Sequence, residues 1–303
     1  NYFATHEELY NRREIENTLK IIGFLQIDDN LTVNTIILCN VLLFFSCIET
    51  SNKIKNKSLM KVRNPKSRNH LSLPKSYKVL EVGGGHDPHK RSNVIVDKYV
   101  DSNFHRCGDV KVYQHQEFLQ ADGENLPFED NQFDYVMCNH VLEHVDNPIK
   151  FLKEQSRVAK RGYLEIPSLM GEYLHPKISH RWLILEIDNK IVMMDKELAG
   201  FKPTHDLGEI FLDYLPKNSI GYKIIQNTHA NLDTVRYEWE GEIDVIVNPT
   251  EMKYAKYFLR KWEIDDIHQF LPQRSLLGEL FAATKARANK EAGLLCQRRS
   301  RYR

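Results

Sequence analysis

Cysteine is sparse in this chain. Its five cysteines, Cys39, Cys47, Cys107, Cys138 and Cys296, are odd in number and form no CxxC pair. That speaks against a zinc ribbon and against a disulfide framework, so no metal site is expected and a reducing, cytoplasmic setting is. An excess of one charge sign is missing too. Lysine and arginine total 42 against 41 acidic residues, a net charge of +1. No global field therefore points to nucleic acid or to a membrane. Long apolar runs are also absent. The strongest, residues 36–48, is 13 residues long and contains Asn40 and Ser46. A spanning helix needs roughly 20 residues, so a buried or interface helix is expected there. No internal repeat stands out, and the first residue is Asn1 rather than Met, which leaves a missing N-terminal stretch open.

What is present falls into three regions. Residues 1–72 read as an N-terminal extension holding the apolar helix and a basic linker. Between Thr50 and Tyr77 there are eight lysines and arginines and no acidic residue. A like-charge run of this kind is expected to be solvated. Weak membrane association through 36–48 and the linker stays open. Residues 73–249 carry alternating strand and helix signals. Residues 250–303 turn helical and end in a basic tail.

The central region reads as α/β. Val79-Leu80-Glu81-Val82, Val94-Ile95-Val96-Asp97, the run Phe133 to Cys138 and Tyr163-Leu164-Glu165-Ile166 are short apolar strands. Pro148 to Ala159 has helical spacing, with Gly162 expected to close it. Strands alternating with helices predict a doubly wound, Rossmann-like, mostly parallel sheet. Trp182–Ile187 and Ile191–Met194 flank Asp188-Asn189, a tight hairpin turn. Thr234 to Val247 alternates like strand.

Four features carry chemistry. Gly83-Gly84-Gly85 follows the first apolar strand, where a glycine turn lets a ligand approach the backbone. Asp97 ends the next strand, where a carboxylate accepts both ribose hydroxyls of a nucleoside or simply makes a turn. A dinucleotide pyrophosphate needs a full helix opened by the glycines. Here His86-Asp87-Pro88-His89-Lys90 leads almost at once into the next strand, which favours a phosphate-free nucleoside. Asp122-Gly123 reads either as an adenine contact or as an ordinary turn. Finally, Asn139-His140-Val141-Leu142-Glu143-His144 contains HxxEH, the zinc-peptidase pattern, a remote alternative without an identifiable third ligand.

VLEVGGG, VIVDKY, ADGENLPFEDNQFDYVMCNHVLEHVDNP and RVAKRGYLEIPS, in that order, resemble class I S-adenosylmethionine-dependent methyltransferases of the ubiquinone-methyltransferase-like type. GGGHDPH, together with SHRWLI, is similar to a bacterial-type subgroup of unassigned methyltransferases. The resemblance covers about residues 79–195. It implies S-adenosylmethionine as cofactor and a sheet that ends in an antiparallel strand. It also implies that Glu81, Gly83 and Gly85 line the methionine side, Asp97 the ribose, Asp122 and Gly123 the adenine, and Asn139 and His140 the methionine moiety. Asp87 stands where many relatives keep a third glycine, so the loop shape differs. A small-molecule or glycan acceptor follows by analogy. His140, His144 and His180 are the candidate bases, and Arg181 and Trp182 either line an acceptor pocket or fill the core. The competing reading is a catalytically silent cofactor-binding module.

Overall fold

A computed structural model describes residues 61–104, 108–229, 231–271 and 273–285, all within the unit Leu59–Arg303. The apolar run 36–48 and the basic tail lie outside the described residues.

Ten strands occur among the described residues: β1 (Lys61–Arg63), β2 (Val79–Val82), β3 (Val94–Asp97), β4 (Glu117–Gln120), β5 (Tyr135–Asn139), β6 (Arg161–Pro167), β7 (Trp182–Ile187), β8 (Lys190–Asp195), β9 (Thr234–Glu240) and β10 (Val245–Val247). Seven form the main sheet in the order β1-β9-β6-β5-β2-β3-β4. From β6 to β4 every pair is parallel. β9 runs antiparallel to both β6 and β1. It is the expected antiparallel strand, but it is not outermost. β1 covers its edge, in a stretch whose sequence reads as solvated linker. The basic residues there are not loose: Lys61 pairs with Glu186 and Arg63 with Glu238.

Both faces of the central strands are buried, which explains their continuous apolar composition. With a side-chain period of two, Leu80, Val82, Val136, Cys138 and Leu164 join the main core. Val79, Tyr135, Met137 and Tyr163 pack on the other face, against Leu71, Leu73 and Tyr77. The end of the supposed linker is therefore a cover for the sheet.

Helix α1 (Pro148–Val158) crosses from β5 to β6. Asn147 caps it by accepting the Lys150 N–H at 3.0 Å, and Pro148 opens it. It buries Phe151, Leu152, Gln155 and Val158. Gly162 does not end this helix. It lies inside β6, where a Cβ would meet the Val136 carbonyl oxygen at 2.5 Å and Trp239 at 2.6 Å; close strand packing explains the glycine.

β7 and β8 form the expected hairpin, and Asp188 and Asn189 both take positive φ, at 53° and 62°. β10 adds to β8 in parallel. Trp182 and Ile184 face the main core. Leu183, Leu185 and Ile187 face a second core with Tyr254, Ala255, Tyr257 and Phe258 of the helix Met252–Leu259. No described helix is long and apolar enough to cross a membrane.

Candidate functional site

The carboxyl ends of β2, β3 and β5 lie side by side, and a parallel sheet binds ligands at this edge. Gly83 leaves β2 with φ of 74°, and a Cβ there would sit 2.1 Å from Val141 Cγ2. Gly85 also takes positive φ, at 50°. At Gly84 a Cβ would meet Ile95 Cγ2 at 2.7 Å. The turn is thus pressed between β3 and the segment after β5, and only glycine at Gly83 satisfies both the backbone and the space.

Glu81 is fully buried. Its Oε2 accepts the Ser92 hydroxyl at 2.6 Å and the His89 N–H at 2.8 Å, and Arg68 Nη1 lies 3.5 Å from Oε1. Burial pushes its pKa above the ordinary glutamate value, and the bonds from Ser92 and His89 and the Arg68 charge offset only part of that. Arg68 also pairs with Asp87, so the departure from glycine at Asp87 is tied down by an ion pair. Asn139 Nδ2 lies 3.5 Å from Glu81 Oε1, while Asn139 Oδ1 is buried and accepts no hydrogen bond.

Asp97 stands at the end of β3, and its Oδ1 accepts the Tyr99 N–H at 3.0 Å. Asp122 accepts the Glu124 N–H at 2.9 Å and pairs with Lys98 Nζ at 2.8 Å. Its burial works to raise the pKa, but the hydrogen bond and charge of Lys98 prevail and hold it below the ordinary value. Gly123 is buried, and a Cβ there would meet Phe151 Cε2 at 2.4 Å. Helix packing alone therefore requires this glycine.

Past β5 the three histidines separate. His140 has φ of 54° and a side chain 55% exposed. Its Nδ1 lies 3.5 Å from Glu143 Oε1. The protein around the ring opposes protonation, but contact with the Glu143 carboxylate outweighs it and raises the pKa. His144 Nδ1 is 2.8 Å from the Ser179 carbonyl oxygen. His180, 11% exposed, places Nδ1 2.7 Å from Glu172 Oε2 and Nε2 3.9 Å from Glu143 Oε1. HxxEH does not lie on a helix: only Leu142–His144 form a single 3-10 turn. The positive φ at His140 keeps it out of helical register with His144, so the zinc-peptidase arrangement does not form. Trp182 belongs to the core, its indole N–H donating to the Val145 carbonyl at 2.7 Å. Arg181 points outward to Asp195 at 3.0 Å and Asp146 at 3.5 Å.

Arg68, Ser92, Val141 and Glu172 hold these groups, and reading the sequence did not single them out. Each contacts a partner distant in sequence or ends a loop, so no local pattern marks it. Two concavities of about 380 and 410 Å3 lie elsewhere, the first bordered by Lys61, Ser168, Glu186 and Phe270 and the second by Met252 and Lys256.

Residues 96–164, from the end of β3 into β6, match a family model described as a methyltransferase domain. This stretch resembles a methyltransferase domain. The methyltransferase match spans Asp97, Asp122, Asn139 and His140; Glu81 and the glycine turn lie just ahead of it. A demethylmenaquinone methyltransferase of Bacillus pumilus is 41% identical over 64 residues, covering 20% of this chain and 27% of that protein. An uncharacterized protein of Methanocaldococcus jannaschii is 32% identical over 157 residues, 48% of this chain and 64% of its own length. The chain thus matches only part of each relative. A solved SAM-dependent methyltransferase of Aquifex aeolicus is 23% identical, with 32% of this chain and 60% of that one covered at a TM-score of 0.26, a superposition too loose to weigh.

The methyltransferase family implies S-adenosylmethionine as cofactor. The residues fit it at the methionine end. Asn139 Oδ1 is a buried acceptor in need of a donor, beside the Glu81 carboxylate and the Gly83 turn, and an ammonium group supplies such donors. At the adenine end Asp122 Oδ2 pairs with Lys98 and Oδ1 accepts the Glu124 N–H, and the partly exposed carboxylate keeps further lone pairs for a base amine.

Proposed function

We propose that this chain transfers a methyl group from S-adenosylmethionine to a small-molecule or glycan acceptor. The observation that carries the reading is Asn139 Oδ1, buried and unsatisfied at the end of β5, beside Glu81 and the Gly83 turn. The cofactor, when bound, supplies a methyl on sulfonium, an already activated leaving group. The protein's contribution is then alignment, which by itself supplies several kcal/mol. Glu81 and Asn139 receive the ammonium, and Asp97 accepts the ribose hydroxyls. Val141, packed against Gly83, fixes how closely the turn and the segment after β5 approach one another.

An acceptor hydroxyl needs a base, and His140 is the best placed of the three histidines. Its side chain is exposed beside the cofactor edge, whereas His144 and His180 are held by Ser179 and Glu172. Glu143 makes His140 a stronger base but leaves a smaller fraction of it unprotonated at neutral pH. A small-molecule acceptor is supported by the Bacillus pumilus relative, whose name specifies demethylmenaquinone. The glycan arm rests on the subgroup resemblance.

Turnover with methyl-labelled cofactor against a panel of phenols, amines and sugars tests the proposal. Label transfer to one class, reduced at least tenfold in His140→Ala if the accepting group is a hydroxyl, is the expected result. Cofactor binding without transfer to any acceptor would favour the silent binding module.

A further inference from the structure

Glu143 is a buried carboxylate, 1% exposed, and neither of its oxygens makes a hydrogen bond. Leaving an ionised group in that state costs several kcal/mol unless a cation meets it. Three histidines face it: His140, on the exposed side, with Nδ1 3.5 Å from Oε1, and His144 and His180 on the other. His144 and His180 lie edge to face with ring centroids 4.7 Å apart. One ligand atom from each of Glu143, His144 and His180 can be chosen so that all lie within 4.8 Å of one another.

The tautomers are fixed from outside the cluster. His144 Nδ1 contacts the Ser179 carbonyl, which only accepts, so Nδ1 carries the proton. His180 Nδ1 donates likewise to Glu172 Oε2. Glu172 is itself held, 2% exposed, by Lys196 Nζ at 2.5 Å and the Lys177 N–H at 2.9 Å. In their neutral forms both rings then present Nε2 as a lone pair. At His180 that lone pair faces Glu143 Oε1 at 3.9 Å. Two acceptors facing each other in a dry site repel unless a cation lies between them. Histidines whose other nitrogen donates to a carboxylate or a backbone carbonyl are the usual supports of a bound metal.

We propose that Glu143, His144 and His180 bind one divalent transition-metal ion, zinc by preference. Two imidazoles and one carboxylate suit zinc, with a fourth position left for water or another donor. Bonds of about 2.0–2.1 Å require ligand atoms roughly 3.3 Å apart, so the side chains close inward when the ion binds. The site meets the methyl-transfer reading only through Glu143, whose Oε1 lies 3.5 Å from His140 Nδ1, and metal binding is read without turnover. It also differs from the HxxEH peptidase arrangement: His180 is a ligand, His140 is not, and Glu143 binds metal rather than acting as base.

The full chain is stripped with chelator, then titrated with zinc against a chromophoric competitor and separately with cobalt, whose visible spectrum reports coordination. One equivalent per chain and a nitrogen/oxygen cobalt spectrum are expected. Glu143→Gln and His180→Ala should lose this binding, and Glu172→Gln should weaken it about 10- to 100-fold. His205→Ala, an exposed histidine outside the cluster, should not change it. Failure of the unmutated chain to bind zinc stoichiometrically overturns the proposal without reference to any variant. It would mean that a proton on His180, shared between Glu143 and Glu172, neutralises the cluster. Zinc binding that persists in folded Glu143→Gln and His180→Ala also overturns it.

Discussion

Asp97 carries the sharpest demand on a single side chain. If its carboxylate receives the ribose hydroxyls, Asp97→Ala removes two hydrogen bonds to a charged group, each worth about 1.5–3 kcal/mol. Water recovers part of that, leaving about 2–3 kcal/mol, or about a 30- to 150-fold loss of cofactor affinity. Asp101→Ala, at an exposed position four residues on, should change affinity less than threefold. Cofactor titrations with thermal melts check both, and equal small effects would remove Asp97 from the site. Glu81 makes a different test. Its folded pKa is raised above the ordinary 4.5, so the folded chain holds that proton more tightly than the unfolded one. The contribution to stability is complete below about pH 4.5 and is lost as pH rises through the folded value. Glu81→Gln has no such slope, so its stability relative to the unmutated chain should improve from pH 5 to pH 8 in denaturant unfolding. Parallel pH profiles would show that Arg68, Ser92 and His89 keep Glu81 ionised throughout.

At the scale of elements, the strands at the centre of the sheet were legible because two-sided burial leaves unbroken apolar runs, as in Val79–Val82 and Tyr135–Asn139. The hairpin was legible because Asp188-Asn189 tolerates positive φ. β1 was not. Its three residues, Lys61, Val62 and Arg63, look like linker until Glu186 and Glu238, far along the chain, supply their partners. Gly162 misled for a related reason: it is a glycine because Trp239 and the Val136 carbonyl press on it, and sequence spacing carries no trace of either, just as it carries none of Phe151 against Gly123. β1 therefore has a measurable consequence. A chain beginning at Leu59 should keep the stability of unit 59–303. One beginning at Ser72 uncovers the β9 edge, takes Lys61 from Glu186 and Arg63 from Glu238, and removes Arg68 from Glu81. The loss should be at least about 2 kcal/mol, a fall in Tm of about 4–8 °C, with concentration-dependent association through the open edge. Equal melting of the two chains would make β1 a passive attachment.

For the whole molecule, the order of motifs along the chain was enough to predict a mostly parallel sheet with its ligand edge at the carboxyl ends of β2, β3 and β5. It could not show that Lys98 closes on Asp122, that Asn139 Oδ1 lacks a partner, or that His180 swings in beside Glu143, because each of these depends on loops meeting across the edge. The central claim is that this edge takes a phosphate-free adenosyl cofactor rather than a dinucleotide. The short segment from Gly85 to the start of β3 offers no full helix whose N-terminus could hold a pyrophosphate, and Asp87 places a carboxylate where one would sit. Isothermal titration of the purified chain with S-adenosylmethionine, S-adenosylhomocysteine and NAD tests this directly. Binding of both adenosyl compounds at one site per chain, with NAD at least about 100-fold weaker, is the predicted result; tight NAD binding with no response to either adenosyl compound would contradict it.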